Sequence, residues 1–380
     1  MGNRSIPSLF KEQVGKVPPL EKYDLTGKVV LVVGANTGLG WEAAKHFATM
    51  NPARLLLACR SKERGTAAVE RIKEATGFDR VELLLVDLSS FDSVKAFADR
   101  FDQEVERLDI LVNNAAVSLP KYEDTKDGWE QNLQVNYISP TLLLLRLLPK
   151  LVKTAESFKT TPRVTIVASG MHQFGEIPKG VFGQSSVLSA MSGKERYTPF
   201  DGNVRYSLTK LLNVLSTLSF TDHVSPSITV NCVDPGFCYS ELRRDLPFGI
   251  RMVTQFFEKI VARTAEEGSR QLVWAALAKS SEEDSMKGVY VTSMEVREPS
   301  DFVVGQKGKE FREELFSDTL RILAEATVCC GARSPAHDGI LDGKTQEKLV
   351  VLARINTSDL SPVIQRLDLA KTIYSSFLWF

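Results

Sequence analysis

The sequence predicts an α/β protein in which helices flank both faces of a doubly wound parallel sheet. Apolar runs of strand length alternate with helix-like segments from residue 26 to about residue 320. The first run, Val29–Val33, is unbroken and rich in valine, as expected for a strand buried on both faces of a parallel sheet. Alternation of this kind implies right-handed crossovers within one sheet. We therefore expect a single doubly wound domain.

The predicted elements follow one another in a regular order. Strands are expected at 29–33, 54–58, 81–86, 108–112, 163–168, 228–233 and 288–292. Helices are expected at 41–48, 66–76, 91–101, about 128–152, 206–220 and about 266–279. Residues 1–25 form an N-terminal lead-in, residues 26–324 the sheet domain, and residues 325–380 a C-terminal tail.

The tail is predicted to contain a short helix at 345–354 and a second helix that opens at Ser361-Pro362. The second helix carries an apolar stripe. We expect this stripe to dock on the protein's own body, with a dimer contact or a weak membrane-surface contact as alternatives.

Composition excludes several functional classes. The chain has 380 residues, 43% hydrophobic and 25% charged, and its 47 basic residues balance 47 acidic ones. This balance gives no indication of bulk binding to nucleic acid or to a membrane surface. The five cysteines are sparse and lack metal-like spacing with the four histidines, which predicts a reducing compartment and no metal site. The most apolar run, 142–145, is too short to span a bilayer, so we expect a cytoplasmic protein without a transmembrane segment.

The first chemical signal is the turn Gly34-x-x-x-Gly38-x-Gly40, which lies between the first strand and a helix. Glycines there permit a tight turn, close approach of backbone N–H groups to a pyrophosphate, and close packing of helix on strand. The helix N-terminus adds a dipole that favours an anion. A glycine triplet alone is weak, because turns are often glycine-rich, but within a βαβ unit it indicates a dinucleotide site.

The end of the second strand indicates which dinucleotide binds. An NAD site usually carries an acidic residue there for the ribose hydroxyls. This chain has Cys59-Arg60-Ser61-Lys62 instead, and its first carboxylate is Glu63. Arg60 is placed to bind a 2′-phosphate, which favours NADP, with NAD as the alternative. A solvated arginine at a strand end is the simpler interpretation, but the position of Arg60 argues against it.

Tyr206 and Lys210 share one helical face, because they are one turn apart. A tyrosine ionises near pH ~10, so lowering its pKa to about 7 requires roughly 4 kcal/mol of preference for the phenolate. A cation about 4 Å away supplies roughly that energy at an effective dielectric of about 20. The pair can therefore act as an acid/base device, although Tyr and Lys at this spacing usually belong to a solvated helix face.

Together these motifs resemble the short-chain dehydrogenase/reductase family, in its single-domain branch with a Rossmann-type sheet. The resemblance covers roughly residues 26–320. It rests, in chain order, on Gly34-x-x-x-Gly38-x-Gly40, Asp87-Leu88, Asn113-Asn114-Ala115-Ala116, Asn136, Ser169, Tyr206-x-x-x-Lys210 and Pro235-Gly236. The Ala-Cys-Arg-Ser ending of the second strand and the long gap between Ser169 and Tyr206 are most similar to the retinol-dehydrogenase and WW-domain-oxidoreductase-like subgroup, and within it to fungal members.

The resemblance implies a role for each matching position. Tyr206 would give a proton to a carbonyl oxygen during reduction or accept one during oxidation, Lys210 would lower the pKa of Tyr206 and bind the nicotinamide ribose, and Ser169 would hold the substrate oxygen. Asn136 would hold the water that links Lys210 to solvent. Asp87 and Leu88 would flank the adenine, Asn113 would border the adenosine side, and Pro235, Gly236 and Ser240 would frame the nicotinamide carboxamide. The implied cofactor-binding positions are Gly34, Asn36, Thr37, Gly38, Leu39, Gly40, Arg60, Asp87, Leu88, Asn113, Ala115, Tyr206, Lys210, Pro235, Gly236 and Ser240.

Two positions depart from the family pattern. Ala116 stands where glycine is usual, which affects helix–sheet packing more than chemistry, and Thr37 stands where many NADP-preferring members have a basic residue. Simpler interpretations also exist for Asn136 as a bond within a helix, Ser169 as a strand-end serine and Asp87 as a helix N-cap. Because these three residues occur together with the other motifs, we expect them to be functional.

The segments that cover the nicotinamide, residues 171–205 and 237–265, determine the substrate in this fold. Both are rich in aromatic and methionine side chains, which suit a sizeable apolar pocket. His172 is expected to border this pocket rather than to act as a base. We expect an NADP(H)-dependent oxidoreductase acting on a lipophilic aldehyde, ketone or alcohol, in secondary metabolism.

Two other functions are open to the same fold. One is a catalytically idle dinucleotide-binding regulator, and the other is a sugar-nucleotide epimerase or dehydratase, which can share the Tyr/Lys pair. In the family, the helix that carries the tyrosine often contributes to dimer interfaces, so the resemblance also implies a homodimer.

Overall fold

A sheet of eight strands runs through the described part of the chain. The structure is a computed structural model and describes residues 13, 15–196, 202–239, 242, 261–278 and 286–328. The strands are β1 (Val29–Val33), β2 (Arg54–Cys59), β3 (Val81–Leu85), β4 (Ile110–Asn113), β5 (Arg163–Val167), β6 (Thr229–Asp234), β7 (Tyr290–Thr292) and β8 (Glu295–Arg297). Their spatial order is β3-β2-β1-β4-β5-β6-β7-β8.

Helices connect most of the strands. They are α1 (Gly38–Ala48), α2 (Lys62–Thr76), α3 (Phe91–Glu104), α4 (Gln131–Phe158), α5 (Val187–Ser192), α6 (Gly202–His223), α7 (Ala265–Leu277), α8 (Asp301–Val304) and α9 (Gln306–Val328). Within α4, the segment Gln134–Ile138 is π-helical.

The strand order confirms the predicted fold class. The pairings from β3 through to β7 are parallel, and β8 forms an antiparallel hairpin with β7. Strands β1, β2 and β3 follow one another outward from the centre of the sheet. The chain then returns to the centre, and β4 to β7 follow one another outward on the other side. This is the doubly wound, Rossmann-type order, and its switch point lies between β1 and β4, where ligands bind in such sheets.

The two faces of the sheet bury two separate cores. In β1, Val29, Leu31 and Val33 belong to one core, and Val30 and Val32 belong to the other. Every residue of this strand is buried, as its unbroken apolar run predicts. Helices α3, α4, α6 and α9 cover the first face, and α1, α2 and α7 cover the second. The carboxyl ends of the strands therefore meet at one edge, between two helical layers.

The differences from the predicted elements lie at the ends of helices and strands and in four elements that the sequence does not predict. α2 begins at Lys62 rather than at 66, because the Ser61 hydroxyl accepts a hydrogen bond from the backbone N–H of Arg64 (3.2 Å) and caps the helix. α4 continues to Phe158 rather than ending at about 152, and stops at Lys159, which is left-handed (φ 50°). The sequence does not predict β8, α5, α8 or α9.

Helix α9 crosses the predicted boundary between the domain and the tail. It runs from Gln306 to Val328, and it places Phe311 and Leu315 in the core beside α6. Residues 329–380, with the helices predicted at 345–354 and from 361, lie outside the described residues. The domain boundaries after residues 25 and 324 stay predictions.

One described helix, α4, is long and apolar enough to cross a membrane. In the fold, 78% of its most apolar window is buried, and Leu143, Leu147 and Leu151 lie in the core. Such burial is typical of a core helix in a globular domain.

Candidate active site

A cleft of about 810 Å³ lies along the carboxyl edge of the sheet. Residues at or just beyond the ends of strands β1 to β7 line it. The predicted site residues that meet there are Gly34, Asn36, Thr37, Gly38, Leu39, Arg60, Asp87, Leu88, Ala115, Ser169, Tyr206, Lys210, Pro235 and Gly236. A cleft of this size is typical of a site for a cofactor or a small molecule.

Each of the three glycines in the first turn meets a different steric or conformational constraint. Gly34 is left-handed (φ 77°), and a Cβ there would lie 2.7 Å from the Cα atom of Ala115. A Cβ on Gly40 would collide with the carbonyl oxygen of Gly34, so this glycine lets α1 pack closely on β1. Gly38 is also left-handed (φ 57°), but no described atom lies within 4 Å of a Cβ there. Because Gly38 lines the cleft, that open space is accessible to a ligand.

The N-terminus of α1 faces the cleft through Thr37, Gly38 and Leu39. The first turn of this 11-residue helix contains no acidic residue. Its N–H groups and its dipole therefore favour an anionic group. Together with the open space at Gly38, these residues fit the pyrophosphate of a dinucleotide.

Basic side chains line the cleft at the end of β2. Arg60, Ser61 and Arg64 lie there, and both arginines are exposed. Asp87, which follows β3, lies in the same part of the cleft, where its carboxylate accepts hydrogen bonds from the backbone N–H (2.9 Å) and the hydroxyl (2.7 Å) of Ser89. The end of the cleft that the sequence assigns to adenosine thus carries two guanidinium groups.

Four predicted residues are not among those that line the cleft. Gly40 packs behind the turn, and Ser240 lies outside the described residues. Asn113 is buried, and its side-chain amide donates to the carbonyl oxygen of Pro140 (3.4 Å). The predicted contact of Asn113 with the adenosine side therefore stays a prediction. The fourth residue is Asn136.

Asn136 lies in the π-helical segment of α4, behind the cleft. Its Oδ1 accepts from the backbone N–H of Val117 (2.8 Å), and its Nδ2 donates to the Val117 carbonyl (2.8 Å) and to the hydroxyl of Thr209 (3.1 Å). Segments of π-helix are frequent at functional sites. The side chain therefore joins the segment after β4 to α6 directly before Lys210, while its predicted water stays a prediction.

Ser169 follows β5 and begins the 3₁₀ turn Gly170–Phe174. Its carbonyl oxygen accepts a hydrogen bond from Nδ1 of His172 (2.8 Å), while Nε2 of the same ring accepts from the backbone N–H of Ser300 (3.1 Å). Because Nε2 acts as an acceptor, these contacts assign the ring proton to Nδ1. The imidazole is fully buried and packs against Tyr290, with ring centres 4.7 Å apart and the ring planes tilted by 57°. His172 thus supports Ser169 from within the core.

Tyr206 and Lys210 both line the cleft from α6. The Lys210 ammonium lies 5.4 Å from the centre of the Tyr206 ring, and it donates to the carbonyl oxygen of Val167 (2.7 Å). Burial lowers the pKa of Lys210 to about 7, and the charge of Asp234 opposes that shift.

Asp234, the last residue of β6, is a cleft residue that the sequence reasoning missed. Its buried carboxylate accepts hydrogen bonds from the backbone N–H of Gly236 (2.9 Å) and from the hydroxyls of Tyr290 (3.2 Å) and Thr292 (3.3 Å). Its charge favours the protonated form of Lys210. The available signal was its position at a strand end, directly before Pro235.

Apolar side chains line part of the cleft. They are Met171, Phe174, Phe237, Leu242 and Val261. Phe174 is 54% exposed. Much of the two segments predicted to cover the substrate, including 197–201 and 243–260, lies outside the described residues. Two polar residues that the sequence reasoning missed, Gln13 and Arg263, also line the cleft.

The fold and the cleft define a doubly wound dinucleotide-binding protein with a serine, a tyrosine and a lysine beside the binding cleft. Residues 28–174 match the family described as short chain dehydrogenase. A short chain dehydrogenase/reductase from Cryptosporiopsis sp. (strain 8999) is 34% identical over 316 residues, covering 82% of this chain and 95% of that protein. A short-chain dehydrogenase/reductase from Phaeosphaeria nodorum is 33% identical over 324 residues, covering 84% and 93%. A crystal structure of an uncharacterized protein from Mycobacterium paratuberculosis superposes with a TM-score of 0.60 at 22% identity, covering 80% and 96%.

The chain therefore belongs to the short-chain dehydrogenase/reductase family and is an NAD(P)-dependent oxidoreductase, as predicted. The similarity to the mycobacterial structure supports the fold alone. Both sequence relatives are fungal, in agreement with the predicted fungal resemblance. The finer assignment to the retinol-dehydrogenase-like subgroup stays a prediction.

Proposed function

We propose that the protein is an NADP(H)-dependent oxidoreductase that interconverts a lipophilic ketone or aldehyde and the matching alcohol. The observation that carries this proposal is the single cleft that Ser169, Tyr206 and Lys210 share with a cluster of apolar side chains. A proton donor beside an apolar surface suits a carbonyl group on a lipophilic molecule.

Each polar residue has a step that it can perform. During reduction, the Tyr206 hydroxyl donates its proton to the carbonyl oxygen of the substrate, and during oxidation the phenolate accepts a proton from the alcohol. The Ser169 hydroxyl hydrogen-bonds the same oxygen and orients it. Protonated Lys210 stabilises the phenolate, and Asp234 favours that protonated form. A bound nicotinamide supplies the hydride chemistry.

The preference for NADP(H) is supported by Arg60 and Arg64, which line the cleft beside Ser61 at the end of β2. Guanidinium groups match the geometry and charge of a phosphate group. A carboxylate that would accept from two ribose hydroxyls is replaced at this strand end by Arg60. NAD(H) is the alternative cofactor.

The setting of the protein is part of the same proposal. The free and buried thiols of Cys59, Cys232 and Cys238 fit a reducing cytoplasm. We propose a role in secondary metabolism, supported by the similarity to fungal short-chain dehydrogenases. Members of this family are often oligomeric, and for this chain we propose a homodimer.

The two alternative functions make different demands on the cleft. An idle regulator does not need an acid/base pair, whereas here Tyr206, Lys210 and Ser169 all line the cleft. A sugar-nucleotide epimerase or dehydratase would return its dinucleotide unchanged after each turnover. Net oxidation or reduction of added NADP(H) therefore separates the proposed function from both alternatives.

The substitution Tyr206→Phe tests the proposal. Screening carbonyl compounds and alcohols by nicotinamide absorbance first identifies a substrate. The variant should then lose about 10²–10⁴ in kcat, the contribution of general acid catalysis, while NADP⁺ binding is retained. Tyr23→Phe is the matched control, because Tyr23 does not line the cleft and its hydroxyl donates to the exposed side chain of Glu21 (3.3 Å). Wild-type turnover by Tyr206→Phe would overturn the mechanism.

A further inference from the structure

The N-terminal lead-in reaches the active-site cleft. Gln13 precedes both the predicted domain and the family match, which begins at residue 28. Its side chain nevertheless lines the cleft together with Phe237, Val261 and Arg263. We propose that Gln13 is a positioning residue that fixes the cleft wall at 235–238, so that the lead-in is a working part of the active site.

The Gln13 amide makes three hydrogen bonds with the backbone of this wall. Its Nε2 donates to the carbonyl oxygens of Phe237 (2.8 Å) and Val261 (2.9 Å), and its Oε1 accepts from the backbone N–H of Phe237 (2.8 Å). Phe237 thus receives from one side chain the donor and acceptor that a neighbouring antiparallel strand would provide. Because both polar groups of Phe237 are engaged, its peptide groups are held in one orientation.

A second strand-like contact lies on the same wall. The backbone N–H of Arg263 donates to the carbonyl oxygen of Phe237 (2.9 Å), and Cys238 and Arg263 form a parallel bridge. Gln13 connects Phe237 to Val261, two residues before Arg263. The side chain therefore reinforces the pairing of residues 237–238 with residues 261–263.

Gly236 accommodates the contact. Its backbone is left-handed (φ 79°), and a Cβ there would lie 2.9 Å from Nη1 of Arg263 and 3.0 Å from Oε1 of Gln13. A side chain at this position would press against both groups. The Pro235-Gly236 pair, which the resemblance assigns to the nicotinamide carboxamide, thus lies directly against Gln13.

The following part of the lead-in is fixed to the body of the protein. Arg270 on α7 donates to the carbonyl oxygens of Val17 (3.0 Å) and Pro18 (3.3 Å), and Glu266 binds the same guanidinium through two hydrogen bonds (2.8 and 2.6 Å). Val17 itself is buried. This anchoring limits the conformational freedom of Gln13. It therefore lowers the entropic cost of forming its three hydrogen bonds.

The expected consequence is looser binding of the dinucleotide. This step rests on the proposed function, because it takes 235–238 to be the nicotinamide end of the cleft. Loss of Gln13 should leave Ser169, Tyr206 and Lys210 in place. We therefore expect cofactor affinity to fall more than turnover at saturating cofactor.

The substitution Gln13→Met tests the proposal, since it keeps the length of the side chain and removes all three hydrogen bonds. We expect the Phe237 amide to exchange with deuterium about tenfold faster, corresponding to about 1.4 kcal/mol. The Kd for NADP⁺, measured by titration calorimetry, should rise about fivefold to tenfold, with kcat within about twofold. Lys16→Met is the matched control, because Lys16 is exposed in the same segment.

The substitution Gln13→Glu adds a readout that a packing role would not move. At about pH 8 the carboxylate would face two carbonyl oxygens, so the Kd ratio to wild type should exceed that of Gln13→Met. The two carbonyl oxygens and the partial burial of the site should raise the pKa of this carboxyl, so near about pH 5 a protonated form can donate again and the ratio should fall.

The outcomes of these experiments are separable. Unchanged exchange and unchanged Kd in Gln13→Met would overturn the role of Gln13. Wild-type turnover in Tyr206→Phe would overturn the proposed function and would leave the exchange result intact.

Discussion

The two walls of the cleft are built in different ways. The first wall, at the ends of β1 to β3, consists of a glycine turn, helix N-termini and exposed arginines. The second wall, at the ends of β5 to β7, contains buried polar side chains such as Lys210 and Asp234. Partners distant in sequence hold the second wall, as when Ser300 donates to His172 or Gln13 to Phe237.

This difference has an energetic consequence. The first wall offers N–H groups and exposed charges that water solvates well when no ligand is bound, so its cost to stability is small. The second wall keeps an ionisable amine in the core, which costs free energy of folding. We therefore expect substitution of the buried amine in the second wall to lower activity and to raise stability. Substitutions in the first wall should lower stability, cofactor affinity or both.

The largest expected effect is that of Lys210→Met. The fall in the pKa of Lys210 from 10.5 to about 7 corresponds to roughly 4 kcal/mol of destabilisation at pH 7. Loss of the hydrogen bond to Val167 offsets about 1 kcal/mol. The variant without cofactor should therefore be more stable than wild type by roughly 3–4 kcal/mol at pH 7 in chemical unfolding, and it should be inactive.

The dependence on pH sharpens this test. Between pH 7 and 10.5 the unfolded state binds a proton at Lys210 that the folded state lacks, so wild-type stability rises with pH. Below pH 7 both states are protonated and the cost stays at its full value. The advantage of Lys210→Met should accordingly shrink as pH rises from 7 towards 10. A variant that is less stable than wild type at pH 7 would contradict this account.

A smaller effect is expected from alanine in the glycine turn. In Gly40→Ala the new methyl group would meet the carbonyl oxygen of Gly34 and the side chain of Asn114, so α1 must shift, at a cost of about 1–3 kcal/mol. Gly38→Ala is the comparison, because its methyl group would enter the cleft without touching a described atom. Its left-handed backbone costs about 1 kcal/mol.

Thermal unfolding and NADP⁺ titration should therefore separate the two variants. Gly40→Ala should lose more stability, whereas Gly38→Ala should lose more cofactor affinity for each unit of stability lost. If the two variants lost the same stability and the same cofactor affinity, the space beside Gly38 would not be a binding site for the dinucleotide.

The contrast between the walls also explains which parts of the site can be predicted from the sequence. The first wall and the Tyr206–Lys210 pair depend on spacing within one turn or one helix, so their placement can be predicted from local pattern. The unbroken run of β1 likewise predicts burial on both faces. The support of Ser169 by His172, the charge of Asp234 near Lys210 and the reach of Gln13 depend on which distant segments become neighbours, and a single sequence carries no pattern for that.

The smallest expected effect concerns Arg60 in the first wall. Arg60→Ala should weaken NADPH binding about tenfold, because it removes a charge-assisted contact with the 2′-phosphate, and it should leave NADH binding unchanged. Lys62→Ala is the matched control, since Lys62 is an exposed basic residue two positions after Arg60 and does not line the cleft. Fluorescence titration with both cofactors at two salt concentrations measures the difference, which should narrow at high salt because an exposed charge is screened. Equal weakening for NADPH and NADH would mean that Arg60 acts on the adenosine or on the turn itself, and would remove the main support for NADP(H) as the preferred cofactor.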